Sequence, residues 1–174
     1  MALWRIRATV DDRPGYLSVL TASLALRSVN ILSVQVHATE AGAVDEFLVE
    51  APEAVGYEQL LQAIHKGRGR DAWVSRANAR GLIDEPTRVL GIAASVAGDP
   101  NRLEAGLVSL LGDCDVSHSP TPIESGPGTM TLADPAGGTI VVRRDAPAFT
   151  PAEFARAHAL VQVVAAAQAV DSSY

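Results

Sequence analysis

The sequence predicts an α+β protein, a βαββαβ sandwich over residues 1–77 followed by a second small α+β domain over residues 88–174. Three observations predict it. Segments with an apolar period of two and segments of helical period follow one another in that order through the first half. Two helices in such an order cover only one face of a four-stranded sheet. A 174-residue chain in which 48% of residues are hydrophobic also has material for two small cores.

The elements follow in turn. Trp4, Ile6, Ala8 and Val10 alternate with Arg5, Arg7 and Thr9, the pattern of a half-buried strand. Asp11-Asp12-Arg13-Pro14-Gly15 breaks it, and Pro14 suits a first helical turn because its missing N–H costs nothing there. Leu17, Leu20 and Leu24 then recur at helical spacing to about Arg27. Ile31 to Ala38 sets Leu32, Val34 and Val36 against Ser33, Gln35 and His37, and Ala43 to Ala51 reads as the second arm of a hairpin. Tyr57, Leu60, Leu61 and Ile64 mark a second helix, and Ala72-Trp73-Val74 a closing strand. The result is a ferredoxin-like arrangement whose open face carries Arg5, Arg7, Ser33, Gln35 and His37.

Residues 78–87, with Gly81, Asp84, Glu85 and Pro86, read as a linker. Beyond it, Val89 to Val96 reads as a strand, and Asp99-Pro100 opens a helix carrying Leu103, Leu107, Leu110 and Leu111 that stops at Gly112. Asp115 to Pro122 is short and polar. Thr129–Ala133 and Thr139–Arg144 form a hairpin, and Thr150-Pro151-Ala152-Glu153 is a capping box opening a final helix to about Val170.

Charge and motif content narrow the function. A net charge of −6 lacks the basic footprint that drives binding to a phosphate backbone, so no nucleic-acid partner is expected. The cluster Lys66, Arg68 and Arg70, interleaved with Gly67 and Gly69, is too short for a polybasic tract and reads as a solvated turn. No run approaches the roughly 18 apolar residues of a membrane span, and the start of the chain alternates instead of forming a signal-peptide core. A cytoplasmic protein without membrane association is the expectation. Cys114 is the single cysteine, which excludes an internal disulfide or a Cys-rich zinc site and reads as a small half-buried residue. His37, His65, His118 and His158 show no metal-ligand spacing. With no phosphate loop, nucleophile elbow or supported carboxylate pair, neither catalysis nor a cofactor is expected.

The segment Val10-Asp11-Asp12-Arg13-Pro14-Gly15-Tyr16-Leu17, followed by Ser28-Val29-Asn30-Ile31, resembles the signature of the ACT domain, a regulatory appendage of amino-acid-metabolising enzymes. The resemblance covers residues 3 to about 77. It implies domains that pair, with a ligand between the loop after the first strand of one domain and the second-strand edge of another. It therefore implies a ligand site drawn from Asp11, Asp12, Arg13, Pro14, Gly15, Tyr16, Leu17, Asn30 and Ile31. The residue types suit an amino-acid zwitterion: backbone N–H groups at Gly15, Tyr16 and Leu17 can receive a carboxylate, and Asp11 or Asp12 an ammonium. Ligand-binding relatives often carry His or Asn near the positions of Val10 and Asp12, a polarity that Val10 lacks.

The tail from Gly137 to Arg144 with Phe149 to Phe154 is similar to the closing strand and helix of GAF-type sensor domains. A rival reading makes the second half a degenerate ACT-like repeat, since Val10, Pro14, Leu17 and Leu24 recur as Val96, Pro100, Leu103 and Leu110. The expected function is an amino-acid-binding regulatory or sensor protein, homodimeric through its first half. The alternative is a ligand-free dimerisation module serving a partner enzyme.

Overall fold

Alternation of apolar side chains carries the first strand, β1 (Ala2–Val10), through the centre of a four-stranded antiparallel sheet. In a computed structural model, residues 1–39, 42–77 and 85–171 are described. The chain divides into two units, Met1–Ile83 and Asp84–Tyr174.

In the first unit β1 is followed by α1 (Tyr16–Ala25), β2 (Asn30–Thr39), β3 (Gly42–Ala51), α2 (Tyr57–Lys66) and β4 (Arg70–Arg76). The strand order is β2-β3-β1-β4, the βαββαβ sandwich expected. Trp4, Ile6, Ala8 and Val10 of β1 join Phe47, Val49 and Ala51 of β3 in a core closed by Leu20 and Leu24 of α1 and Leu60, Ala63 and Ile64 of α2. Each fully buried Leu, Ile or Phe contributes about 1.5–3 kcal/mol. The two helices come close because residue 67, just past the end of α2, is glycine: a Cβ there would stand 2.8 Å from the Leu20 backbone.

The open face holds the expected polar residues and more. Arg7 pairs with Glu46, and the His37 Nε2 lies 4.0 Å from the same carboxylate. The register also sets Leu48 beside Arg5 and Trp73 beside Arg7, so this face mixes charge with large apolar groups. Leu32, Val34 and Val36, expected to face the core, remain 40–51% exposed because β2 is an edge strand.

The second unit corrects several expectations. Its order is α3 (Glu85–Gly98), a 3-10 turn (Pro100–Arg102), α4 (Leu103–Leu111), β5 (Asp115–Ser119), β6 (Thr129–Ala133), β7 (Thr139–Arg143) and α5 (Pro151–Asp171). The segment Val89–Val96, read as a strand, is the body of α3. Val89, Ile92, Ala93 and Val96 are spaced at i, i+3, i+4 and i+7 and pack on the core, while Leu90 faces solvent. Of the segment read as a linker, residues 78–84 lie outside the described residues and 85–87 belong to α3. The polar stretch from Asp115 contains an edge strand, β5, in a sheet ordered β5-β7-β6. Val10 ends a strand whereas Val96 lies in a helix, and the element order differs from βαββαβ, so the recurrence does not mark a second copy of the first unit.

Two sequence signals act locally as expected. The Asp99 carboxylate accepts the Asn101 N–H at 3.1 Å, opening the turn into α4. The Thr150 N–H donates to Glu153 Oε2 at 2.8 Å and the Glu153 N–H to Thr150 Oγ1 at 3.2 Å, a complete capping box.

Candidate functional site

β1 ends at Val10, buried and paired with Ala43, and the chain turns out of the sheet at Asp11. The Arg13 N–H donates to the Asp11 carbonyl at 2.8 Å and the Tyr16 N–H to the Arg13 carbonyl at 3.3 Å, so the turn is closed by its own backbone. Gly15 caps α1 with φ near 92°, a left-handed conformation strained for other residues. Among the described residues no side chain caps this helix, so Asp12 does not fill that role. The N–H groups of Leu17 and Ser18 have no acceptor among the described residues and stand at the positive end of the helix dipole. Of the three amides expected to be open, that of Tyr16 is taken. Asp12, Arg13, Pro14 and Gly15 are exposed, whereas Tyr16 and Leu17 are half-buried and pack against the core.

A second segment converges on this loop. Arg70 Nη1 donates to Asp11 Oδ1 at 2.6 Å, and the Arg68 guanidinium lies 5.8 Å from the centre of the Tyr16 ring. The basic cluster read as a solvated turn thus brings two arginines to the loop from 59 positions away in sequence in the case of Arg70. Arg70, and after it the Tyr16 phenol, hold the Asp11 carboxyl below the usual carboxylate range. Asp11 is therefore already paired, and of the two acids expected to meet an ammonium, Asp12 is the exposed one.

Asp45 was not among the expected site residues. It occupies a core-facing position of β3 between Ala43 and Phe47, is 0% exposed, and has no hydrogen-bond partner on either carboxylate oxygen among the described residues. Burial, and then the charge of Asp12, push its carboxyl up to about 6. The signal was present in the sequence as one acid interrupting the apolar phase Ala43, Phe47, Val49, Ala51 of a strand.

Asn30 and Ile31 lie elsewhere in the same domain. Asn30 pairs with Glu50, while the loop leaves the sheet at the level of Ala43, seven positions along β3. At roughly 3.4 Å per residue that is about 24 Å. A single domain therefore does not bring Asn30 to the Asp11–Leu17 loop. Ile31 is half-buried against the core.

Residues 4–66 match the family model of the ACT domain, and the first unit, with this loop and topology, carries an ACT domain. Solved structures similar to the chain include an unknown protein from Galdieria sulphuraria, at 15% identity, covering 97% of this chain and 92% of that one with a TM-score of 0.42. They also include the ligand-free regulatory subunit of aspartate kinase from Thermus thermophilus, at 14% identity, 95% and 92% coverage and a TM-score of 0.38. The corresponding regulatory subunit from Thermus flavus matches at 15% identity, 97% and 94% coverage and a TM-score of 0.35. No curated protein sequence matches the chain.

No group of three or more His, Cys, Asp or Glu among the described residues could hold a metal ion. Cys114 is half-buried, and burial pushes its thiol up, away from the reactive thiolate. Among the described residues no helix is long and apolar enough to cross a membrane.

Proposed function

We propose that this protein is a non-catalytic regulator whose ACT domain binds an amino acid between two copies of the domain. The observation that carries the reading is the separation of Asn30 from the Asp11–Leu17 loop along an unpaired edge strand. Antiparallel pairing of two β2 edges sets the Asn30 end of one copy beside the loop end of the other, and a site incomplete in one domain becomes complete in two. The exposed apolar residues Leu32, Val34 and Val36 give that edge a reason to be covered. The ligand carboxylate fits the open N–H groups of Leu17 and Ser18, and Asn30 supplies a donor and an acceptor from across the interface.

Thermal melts with each of the twenty amino acids, with light scattering on the same samples, test the reading. A ligand at ~100 times its Kd stabilises by about 2.7 kcal/mol, enough to move the melt by several degrees. The expected result is a dimer stabilised by one or a few amino acids. A monomer that responds to none overturns the reading.

A dimer that responds to none favours the second reading, a dimerisation module that docks on a partner enzyme. Burial of Val10 and pairing of Asp11 with Arg70 support that alternative, since both withdraw side chains from a ligand.

A further inference from the structure

This inference rests on the amino-acid-binding reading above and assigns the acid that reads the ligand's charge. Asp45 lies opposite Ala8 on β1 and Val36 on β2, two ladder positions inside the point where β1 gives way to the Asp11–Leu17 loop. It is completely buried and both of its oxygens lack a donor among the described residues. An ionised carboxylate in that state is costly, and native folds keep such a group where a partner arrives to satisfy it.

The surroundings define the partner. The residues paired with Asp45 carry no charge, and the charged group acting on it is a second acid, Asp12 of the loop. Two acids sharing a region call for a cation. Arg70 already holds Asp11. On the edge side, Val36 is 51% exposed directly across from Asp45, so the approach along β2 is open to within one strand of the carboxylate.

We propose that Asp45 receives the ammonium group of the bound amino acid, which enters over Val36 at the β2 edge and turns its carboxylate to the N–H groups that open α1. The contact is a charge-assisted hydrogen bond formed in a water-poor site, where it counts for more than one to an exposed acid. The ligand class is thereby a free α-amino acid. Compounds whose amine is acylated, or replaced by a keto group, lack the donor charge that Asp45 requires.

The test is calorimetric titration of the full chain with the amino acid giving the largest melt shift among the twenty, and with its N-acetyl form. Asp45→Asn should weaken binding at least about tenfold. The N-acetyl form should not bind the parent. Parent affinity should fall as pH drops through about 6, where Asp45 takes up its proton, and Asp45→Asn should lose that dependence. The parent's pH profile needs no variant, so a variant that fails to fold does not shield the assignment. A flat profile between about pH 5 and 7.5, or unchanged binding by a folded Asp45→Asn, overturns the assignment and leaves the amino-acid reading standing. Failure of all twenty amino acids to bind the parent overturns both.

Discussion

Two buried acids meet opposite fates in this chain. Glu153 is held by Arg144 through contacts of 3.0 Å to each carboxylate oxygen, and its Oε2 also accepts the Thr150 N–H. Arg144 in turn donates to the carbonyls of Leu111 and Pro147 and lies 4.2 Å from the centre of the Phe149 ring. The charge is thus fully compensated, the condition under which a buried ion pair is tolerated. Asp45 has no such shell among the described residues. Its folded pKa is raised from 3.8 to about 6, so the folded state holds a proton that the unfolded chain has already released. Stability from this group is fully present below about pH 4 and is lost as pH rises through about 6. Asp45→Asn should therefore stabilise the ligand-free protein at pH 7.5, by on the order of 3 kcal/mol, and have little effect near pH 4. Urea denaturation at the two pH values checks this, and equal stability of the two proteins at pH 7.5 refutes it.

At the scale of elements, β2 is the strand in which sequence pattern and burial part company. Its alternation of Leu32, Val34 and Val36 with polar residues is that of a strand with one covered face. The helices nevertheless seal the core over β1 and β3 and leave these three residues, with Val19 of α1, 40–51% exposed. We propose that a second copy of the chain covers this edge. Val34→Lys places a charge in the middle of the stripe at a position already 42% exposed, so the fold should survive while the dimer is lost. Sedimentation or light scattering should report a monomer with native circular dichroism. A persistent dimer would move the interface to the open sheet face, where Trp73 and Leu48 lie among the charges.

For the molecule as a whole, the first unit closes its own core with residues from Ala2 to Val74, and the Ala77 N–H donates to the Leu3 carbonyl at its margin. We propose that the boundary between the two units falls between Ala77 and the start of α3 at Glu85. The fragment Met1–Ala77 should then fold alone and bind the same amino acid as the full chain. Loss of cooperative melting in that fragment would show that residues 88–174 complete the first domain. The order βαββαβ was legible because each element has a period its neighbours lack, and Asp11-Asp12-Arg13-Pro14-Gly15 and Asn30 were legible as turn and signature residues. α3 was not, since a short apolar run such as Val89–Val96 serves a strand or a buried helix equally until something packs against it. The sequence by itself determined the first unit's topology, the two local caps at Asp99 and Thr150, and the loop that opens α1. Only the tertiary structure decided that Arg70 neutralises Asp11, that Asp45, already marked by its place in the apolar phase, meets no partner among the described residues, and that Asn30 lies about 24 Å from the loop along the sheet. Those are relations between strands distant in the chain, set by ladder register and burial, and no local period encodes them.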